Sequence, residues 1–114
     1  MVAEGDFTGR QAHKHMFFVY VLLSLKDKET YIGSTSNIES RMEAHNNGRV
    51  ESTRGRRPLE LIYYEAYINQ QDATGREKFL KSGSGHRYLK KQLKFFFENI
   101  VDRGVEQPGS SSGS

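Results

Sequence analysis

Two tyrosines, an arginine, a histidine and a glutamate are the residues of this chain best suited to chemistry on a phosphate group. They are Tyr20, Tyr31, Arg41, His45 and Glu77. An arginine can hold two phosphate oxygens in a fork, and a histidine exchanges protons near neutral pH. A glutamate can be the lone carboxylate of a magnesium site, because Mg²⁺ keeps several waters and also binds phosphate oxygens. The set predicts reaction at a phosphate, provided that folding brings the five side chains together.

Each of these residues also has an ordinary structural explanation when it is considered alone. Aromatic side chains suit strands, so Tyr20 and Tyr31 would usually be packing residues. Arg41 and His45 are four residues apart and share one face of a predicted helix, where polar side chains mostly meet solvent. A helical glutamate such as Glu77 is normally solvated or paired with a neighbouring lysine. Taken singly, the residues leave both interpretations open.

Basic residues are concentrated in two further segments, the loop at 48–58 and the last predicted helix. The candidates for contact with nucleic acid there are Arg54, Arg56, Arg57, His86, Arg87, Lys90 and Lys91. Such residues can serve solubility alone. Together, with a net charge of +3, they could also neutralise a nucleic-acid backbone.

Length and composition limit the class of protein. A chain of 114 residues holds one domain, and the absence of cysteine excludes disulfides and thiolate metal sites. No apolar run approaches the roughly 20 residues that span a bilayer, and no signal-peptide core is seen, so we expect a cytoplasmic protein without membrane contact. We expect residues 1–15 to be a disordered or miscalled extension, 16–101 to be the domain, and 102–114 to be a disordered tail rich in glycine and serine.

The pattern of apolar residues predicts the elements that must position these side chains. Two strands, at 17–23 and 30–33, should form an antiparallel hairpin. A helix should begin at the capping box Ser36-Asn-Ile-Glu39 and end at Asn46, with Asn47-Gly48 as its C-terminal cap. After a polar loop, a third strand is predicted at 59–67 and a helix at 70–81.

The remaining sequence predicts one more helix. Gly83-Ser-Gly85 should interrupt the helix that ends at Lys81, and the last helix should run from about His86 to Ile100. The order β-β-α-β-α-α predicts a small α+β domain with a three-stranded, mainly antiparallel sheet flanked by helices.

The order and spacing of the motifs resemble the GIY-YIG nuclease family, in particular its short single-domain bacterial branch, which is related to the N-terminal domain of excinuclease C. The resemblance rests on Phe18-Val-Tyr20, Tyr31-Ile-Gly33, Arg41 and His45 on a helix, Thr53-Arg-Gly-Arg-Arg-Pro58, and Glu77 within Arg76-Glu-Lys-Phe-Leu-Lys-Ser-Gly83. It covers residues 17–97, nearly the whole predicted domain.

The resemblance implies a role for each motif residue. Tyr20 matches the tyrosine of the first motif, and Tyr31 and Gly33 match the second. Arg41 corresponds to the catalytic arginine and Glu77 to the metal-binding glutamate, while His45 stands where members carry histidine or tyrosine. At Gly33 the absence of a side chain would let a helix or a phosphate approach the backbone.

Two positions depart from the family pattern. Phe18 stands where the first motif has glycine. Members often carry a late asparagine that contacts the phosphate, whereas this chain has none after the glutamate until Asn99. His86 or Arg87 are the candidates to replace it.

The function implied by the resemblance is hydrolysis of DNA in one in-line step, dependent on Mg²⁺ or Mn²⁺, in repair or recombination. Either tyrosine could orient or deprotonate the attacking water, but a phenol acts as a base only if its pKa falls or His45 relays the proton. Two alternatives stay open: a DNA-binding module that does not cut or needs a partner, and an interaction domain without a nucleic-acid role.

Overall fold

The computed structural model describes residues 15–100 as a three-stranded sheet with helices on both faces. Its elements are β1 (Phe17–Ser24), β2 (Thr30–Thr35), α1 (Ile38–Asn46), a 3₁₀ helix (Glu51–Arg56), β3 (Leu59–Tyr67), α2 (Gln70–Lys81), α3 (Gly83–Gln92) and α4 (Lys94–Glu98). The predicted α+β class and three-stranded antiparallel sheet are confirmed. The predicted tail at 102–114 and all but the last residue of the predicted extension lie outside the described residues.

Strand β1 is the centre of the sheet, which has the order β2-β1-β3 with both pairs antiparallel. The hairpin register places Tyr20 opposite Gly33 and Leu22 opposite Tyr31. On the other side Tyr20 lies opposite Tyr64. A central strand covered on both faces needs apolar side chains at every position, which explains the unbroken apolar run of β1.

Two buried clusters lie on opposite faces of the sheet. Val19, Val21 and Ile32 pack against α2 and α3 through Ala73, Leu80 and Leu89. On the other face Tyr20, Leu22 and Leu59 pack with Tyr31, Leu61 and two residues of α1, Ile38 and Met42. Because neighbouring residues of a strand point to opposite faces, β1 contributes to both clusters.

The end of the chain differs from the prediction. Helix α2 ends at Lys81 as predicted, but Ser82 alone separates it from α3, and Gly83-Ser-Gly85 forms the first turn of α3. The Ser82 hydroxyl caps that turn by accepting from the Gly85 N–H at 3.1 Å. This helix ends at Gln92, and α4 is a separate short helix. Gly85 is buried, and a Cβ there would lie 2.0 Å from the Phe79 carbonyl oxygen. Glycine therefore permits the close contact of α2 with α3.

The predicted start of α1 is one residue early. The N-cap is Asn37, whose side chain accepts from the Ser40 N–H at 3.0 Å, rather than Ser36. The Thr35 hydroxyl in turn accepts from the Asn37 N–H, which fixes the cap at the end of β2. The predicted C-terminal cap is confirmed, with Asn47 as the C-cap and Gly48 at a φ of +78°.

A partly buried charged cluster fixes α2 on β3. The Glu65 carboxylate accepts hydrogen bonds from the hydroxyls of Tyr63 and Tyr67 and two from Arg76. The Arg76 guanidinium also stacks 4.6 Å from the ring of Tyr88 on α3. Both oxygens of the carboxylate and one face of the guanidinium are thus occupied by the protein itself, which indicates a structural role.

Within residues 15–100, no helix is long and apolar enough to cross a lipid bilayer.

Candidate active site

The Tyr20 side chain lies across the neighbouring strand, with its hydroxyl above Gly33. A Cβ at Gly33 would be 2.5 Å from the Tyr20 hydroxyl oxygen and 2.7 Å from the ring carbon that bears it. Tyr20 is only 1 % exposed. We expected a glycine here to let a helix or a phosphate approach the backbone. The structure shows that the Tyr20 phenol occupies this space instead.

A chain of hydrogen bonds runs inward from the Tyr20 hydroxyl. Arg41 Nε donates to this oxygen at 3.4 Å, and His45 Nε2 lies 2.9 Å from it. At the far side of the imidazole, His45 Nδ1 lies 2.7 Å from the Thr53 hydroxyl. Arg41 and His45 do share one helix face, but His45 is fully buried and not part of a solvated edge.

The partners of Tyr20 indicate where the protons sit. A buried hydroxyl normally donates its hydrogen. Of the two groups bonded to it, Arg41 is only a donor, so the acceptor is His45 Nε2. The imidazole then carries its proton on Nδ1 and donates it to Thr53.

The pKa shifts agree with this neutral arrangement. Burial lowers the pKa of His45, and the charge of Arg41 lowers it further. Burial raises the pKa of Tyr20, although the hydrogen bond from Arg41 opposes the rise. A phenol acts as a base only when its pKa falls, so the net shift disfavours Tyr20 as the group that deprotonates water.

Tyr31 completes the aromatic part of the site and is more accessible than Tyr20. Its ring centroid lies 5.2 Å from that of His45 and 6.4 Å from that of Tyr20. It is partly exposed, and its hydroxyl also interacts with Arg41. Four of the five predicted residues therefore lie together, with Tyr20, Tyr31 and His45 grouped near the guanidinium of Arg41.

Glu77 approaches the same edge of the sheet from α2. Its Oε1 accepts a hydrogen bond from the Ser34 hydroxyl at 2.8 Å, and its Oε2 pairs with Lys81 at 3.0 Å. Ser34 follows Gly33 in β2, so the Glu77 carboxylate contacts the residue next to the glycine that lies beneath the Tyr20 phenol. The charge of Glu77 is among the smaller causes, after burial, that raise the pKa of Tyr20. Four of the predicted residues thus lie on the α1 face of the sheet, and Glu77 reaches edge strand β2 from the α2 face.

Comparison with known proteins identifies the family of the chain. The family model of the GIY-YIG catalytic domain matches residues 16–92. The chain belongs to the GIY-YIG family. This match confirms the resemblance inferred from the motifs.

Several relatives of this GIY-YIG domain are short bacterial proteins. A UPF0213 protein of Clostridium perfringens is 45 % identical over 67 residues, which cover 58 % of this chain and 71 % of the relative. A UPF0213 protein of Pediococcus acidilactici is 40 % identical over 88 residues, covering 75 % and 85 %. The solution NMR structure of a UPF0213 protein from Bacillus halodurans is 28 % identical, covers 75 % of this chain and 93 % of that chain, and has a TM-score of 0.46.

The loop at 48–58 is organised by contacts with the β1–β2 turn. Arg56 Nε pairs with Asp27 at 2.9 Å, and the Arg56 carbonyl accepts from the Ser24 hydroxyl. The hydrogen bond from Arg56 is the main cause that lowers the pKa of Asp27 to about 2. Arg56, predicted to bind nucleic acid, is thus engaged in a structural pair. Arg54 and Arg57 are exposed and line an open pocket together with Lys26.

The predicted basic residues of α3 lie at the other end of β2. His86, Arg87 and Lys90 line a cavity with Thr30, the first residue of that strand, whereas Lys91 does not line it. Glu77 contacts Ser34, four residues further along, or roughly 13 Å at the rise of a strand. His86 and Arg87 are therefore poorly placed to replace the late asparagine beside Glu77. Asn99 donates its side chain to the Phe95 carbonyl and caps α4.

Two residues of the site, Ser34 and Thr53, were not predicted. Thr53 opens the motif Thr53-Arg-Gly-Arg-Arg-Pro58, yet its spacing from His45 gave no sign of a contact. It is completely buried on the 3₁₀ helix, which folds back over α1. Ser34 directly follows the Tyr31-Ile-Gly33 motif, and its position in an edge strand was the available signal.

Replacement of Gly33 by alanine should displace the Tyr20 phenol and weaken its bonds to Arg41 and His45. Because Tyr20 is buried, its ring cannot simply rotate into solvent. We expect the free energy of unfolding to fall by about 1–3 kcal/mol, the usual cost of leaving buried polar groups unsatisfied. Chemical denaturation measures this change. Gly55→Ala is the control, since no atom lies within 4 Å of its added Cβ; equal effects of the two substitutions would contradict the explanation.

Proposed function

We propose that this domain is an endonuclease that hydrolyses phosphodiester bonds in DNA with the help of Mg²⁺ or Mn²⁺. The observation that carries the proposal is the convergence of the Arg41 guanidinium, two phenols and the Glu77 carboxylate on β2. The membership in the GIY-YIG family supports the reaction class. A binding module would need the cationic surface but not this combination of groups.

The side chain of Glu77 has the chemistry of a magnesium ligand. Its carboxylate offers hard oxygen atoms and is partly exposed, with 21 % of the side chain accessible. Among the described residues no group of three or more metal-binding side chains occurs, so the ion would keep most of its waters. The i,i+4 pair with exposed Lys81 is of a kind that contributes little energy and presents a small obstacle. When bound, the cation would supply charge neutralisation at the phosphate and the leaving oxygen.

Arg41 is the group that we assign to the phosphate. Its Nε is held by the Tyr20 oxygen, which in turn is held by His45, so the direction of the guanidinium is set before substrate arrives. Fixed charges of this kind stabilise the charge that builds on the phosphate in the transition state without reorganisation. Tyr20, His45 and Thr53 then act as positioning residues for Arg41.

Tyr31 is the phenol that we assign to the attacking water. It is partly exposed, whereas Tyr20 is 1 % exposed and has a raised pKa. A hydroxyl beside Arg41 can orient a water towards the phosphorus atom by hydrogen bonding. This assignment selects between the two tyrosines that the sequence left equivalent.

Two cationic surfaces that border the β1–β2 turn would hold the DNA backbone. Arg54, Arg57 and Lys26 surround one open pocket, and Arg87 and Lys90 line the cavity on α3. Lysine and arginine contacts to phosphates give most of the affinity that does not depend on sequence. Both regions lie towards the Thr30 end of β2, and Glu77 contacts Ser34 near the other end of the strand.

The proposal is tested with the purified full chain and a panel of labelled DNA and RNA structures: single-stranded, nicked, flapped, branched and duplex. We expect cleavage of at least one DNA structure with Mg²⁺ or Mn²⁺ and none with a chelator. Salt-dependent binding without cleavage would instead support a DNA-binding module. A flat response of binding to salt, or no binding, would support an interaction domain and overturn both nucleic-acid functions.

A further inference from the structure

An aromatic pair on the sheet surface is not used by the proposed reaction. The rings of Phe18 on β1 and Tyr64 on β3 meet edge to face, with centroids 5.8 Å apart and an angle of 71° between the planes. Phe18 is two residues from Tyr20, and Tyr64 is the cross-strand partner of Tyr20. All three side chains therefore belong to the same face of the sheet.

This half of the face is open to solvent. Helix α1 packs over the other half, where Leu22, Leu59 and Leu61 contact Ile38 and Met42. Tyr64 is 53 % exposed, and Phe18 is partly exposed. An exposed aromatic pair beside charged site residues resembles the surfaces on which proteins stack nucleic-acid bases.

We propose that Phe18 and Tyr64 form a platform on which a base of the bound nucleic acid stacks, next to the phosphate held by Arg41. The inference rests on the proposed function for the position of that phosphate. From Tyr64 on β3 to the Tyr20 hydroxyl above Gly33 on β2 is two strand spacings, about 10 Å, which one or two nucleotides can bridge. The positive charge of Arg41, which bonds the hydroxyl of Tyr20 on the same sheet face, favours the anionic strand as the occupant over a second copy of this basic chain.

The platform also gives a purpose to a departure from the family pattern. Phe18 stands at the position of the glycine in the first motif, where no ring would be available. In this chain its ring packs edge to face against Tyr64 and supports that ring. Aromatic stacking tolerates any base, because each base offers a flat π-face. The platform would thus position a strand without selecting a sequence.

The test measures binding of labelled oligodeoxythymidylate to the full chain in a chelator, by fluorescence anisotropy, and compares it with an abasic strand of the same length. We expect Tyr64→Ala to weaken binding of the base-bearing strand by roughly tenfold, as is usual for loss of one stacked base. Binding of the abasic strand should not change. Tyr64→Phe and Phe18→Tyr keep the rings and should keep the affinity, whereas Phe18→Leu keeps only the apolar bulk and should lose it.

Phe95→Ala is the matched control, because Phe95 on α4 is 73 % exposed and lies outside this sheet face. Equal losses on the two strands, no loss with Tyr64→Ala, or absence of binding by the wild type would each overturn the platform. A change of oligomeric state with Tyr64→Ala, measured by light scattering, would assign the rings to a second copy instead. Base-dependent binding without cleavage would leave the platform standing while the nuclease proposal failed, and cleavage without base dependence would do the reverse.

Discussion

Replacement of Glu77 by glutamine should reduce metal-dependent cleavage by about 10²-fold or more, the loss that follows removal of one preorganised electrostatic group. The amide oxygen of glutamine can still accept from Ser34, so the local structure should survive, but the negative charge that attracts a divalent cation is gone. Initial cleavage rates on the best substrate of the panel, measured across a Mg²⁺ titration, give the effect. Circular dichroism verifies that the variant is folded.

Helix α4 provides a closely matched control for this substitution. Glu98 pairs with Lys94 at i,i+4 over 3.4 Å, as Glu77 pairs with Lys81, but its side chain is 56 % exposed. Glu98→Gln removes the same charge and the same kind of surface pair, so the cleavage rate should not change. Wild-type rates in both variants would refute the assignment of Glu77.

Replacement of Gly85 by alanine should destabilise the domain more than replacement of Gly33 by alanine. The added Cβ would lie 2.0 Å from the Phe79 carbonyl oxygen and 2.4 Å from the Leu80 Cα, and both are backbone atoms that cannot rotate away. Helices α2 and α3 would have to separate. We expect a loss of about 3 kcal/mol or more, at the upper end of overpacking effects, and a melting temperature lower by roughly 10–20 °C in thermal denaturation.

Gly75→Ala is the control for the Gly85 substitution. Gly75 lies within α2, and no atom lies within 4 Å of its added Cβ. Alanine favours a helix over glycine by about 1 kcal/mol, so this variant should be more stable than the wild type. A neutral or stabilising effect at Gly85 would show that the two helices can adjust to the methyl group.

The sequence predicts the strands well because their signal is local. An apolar run such as β1 is explained by burial on both faces, and the spacing of the hairpin is set by a short polar turn. Helix boundaries were less predictable where contacts with distant parts of the chain determine the residue at which a helix begins. Glycine is a residue type that usually ends a helix, yet Gly85 lies within α3. It is needed there because the backbone of Phe79 and Leu80 lies so close, and this contact cannot be seen from sequence spacing. The choice of Asn37 over Ser36 as a cap depends on Thr35 in the same way.

The residues of the candidate site could be selected from their motifs, but their environments could not. Spacing places Arg41 and His45 on one helix face, and it cannot tell a solvated histidine from one covered by the 3₁₀ helix that carries Thr53. Burial then determines the direction in which the pKa values of Tyr20 and His45 shift. The difference in exposure distinguishes buried Tyr20 from partly exposed Tyr31. Arg56 illustrates the opposite case, because a basic residue in a basic loop turned out to pair with Asp27.

The two charged groups of the site approach β2 from opposite faces of the sheet, Arg41 from the side of α1 and Glu77 from the side of α2. A phosphodiester that touches both must therefore bend over the rim of the sheet, where only one strand separates them. Gly33 forms part of that rim, and the Tyr20 phenol takes the space that a side chain would need there. The width of this one strand therefore limits how closely Arg41 and Glu77 can approach the same phosphate.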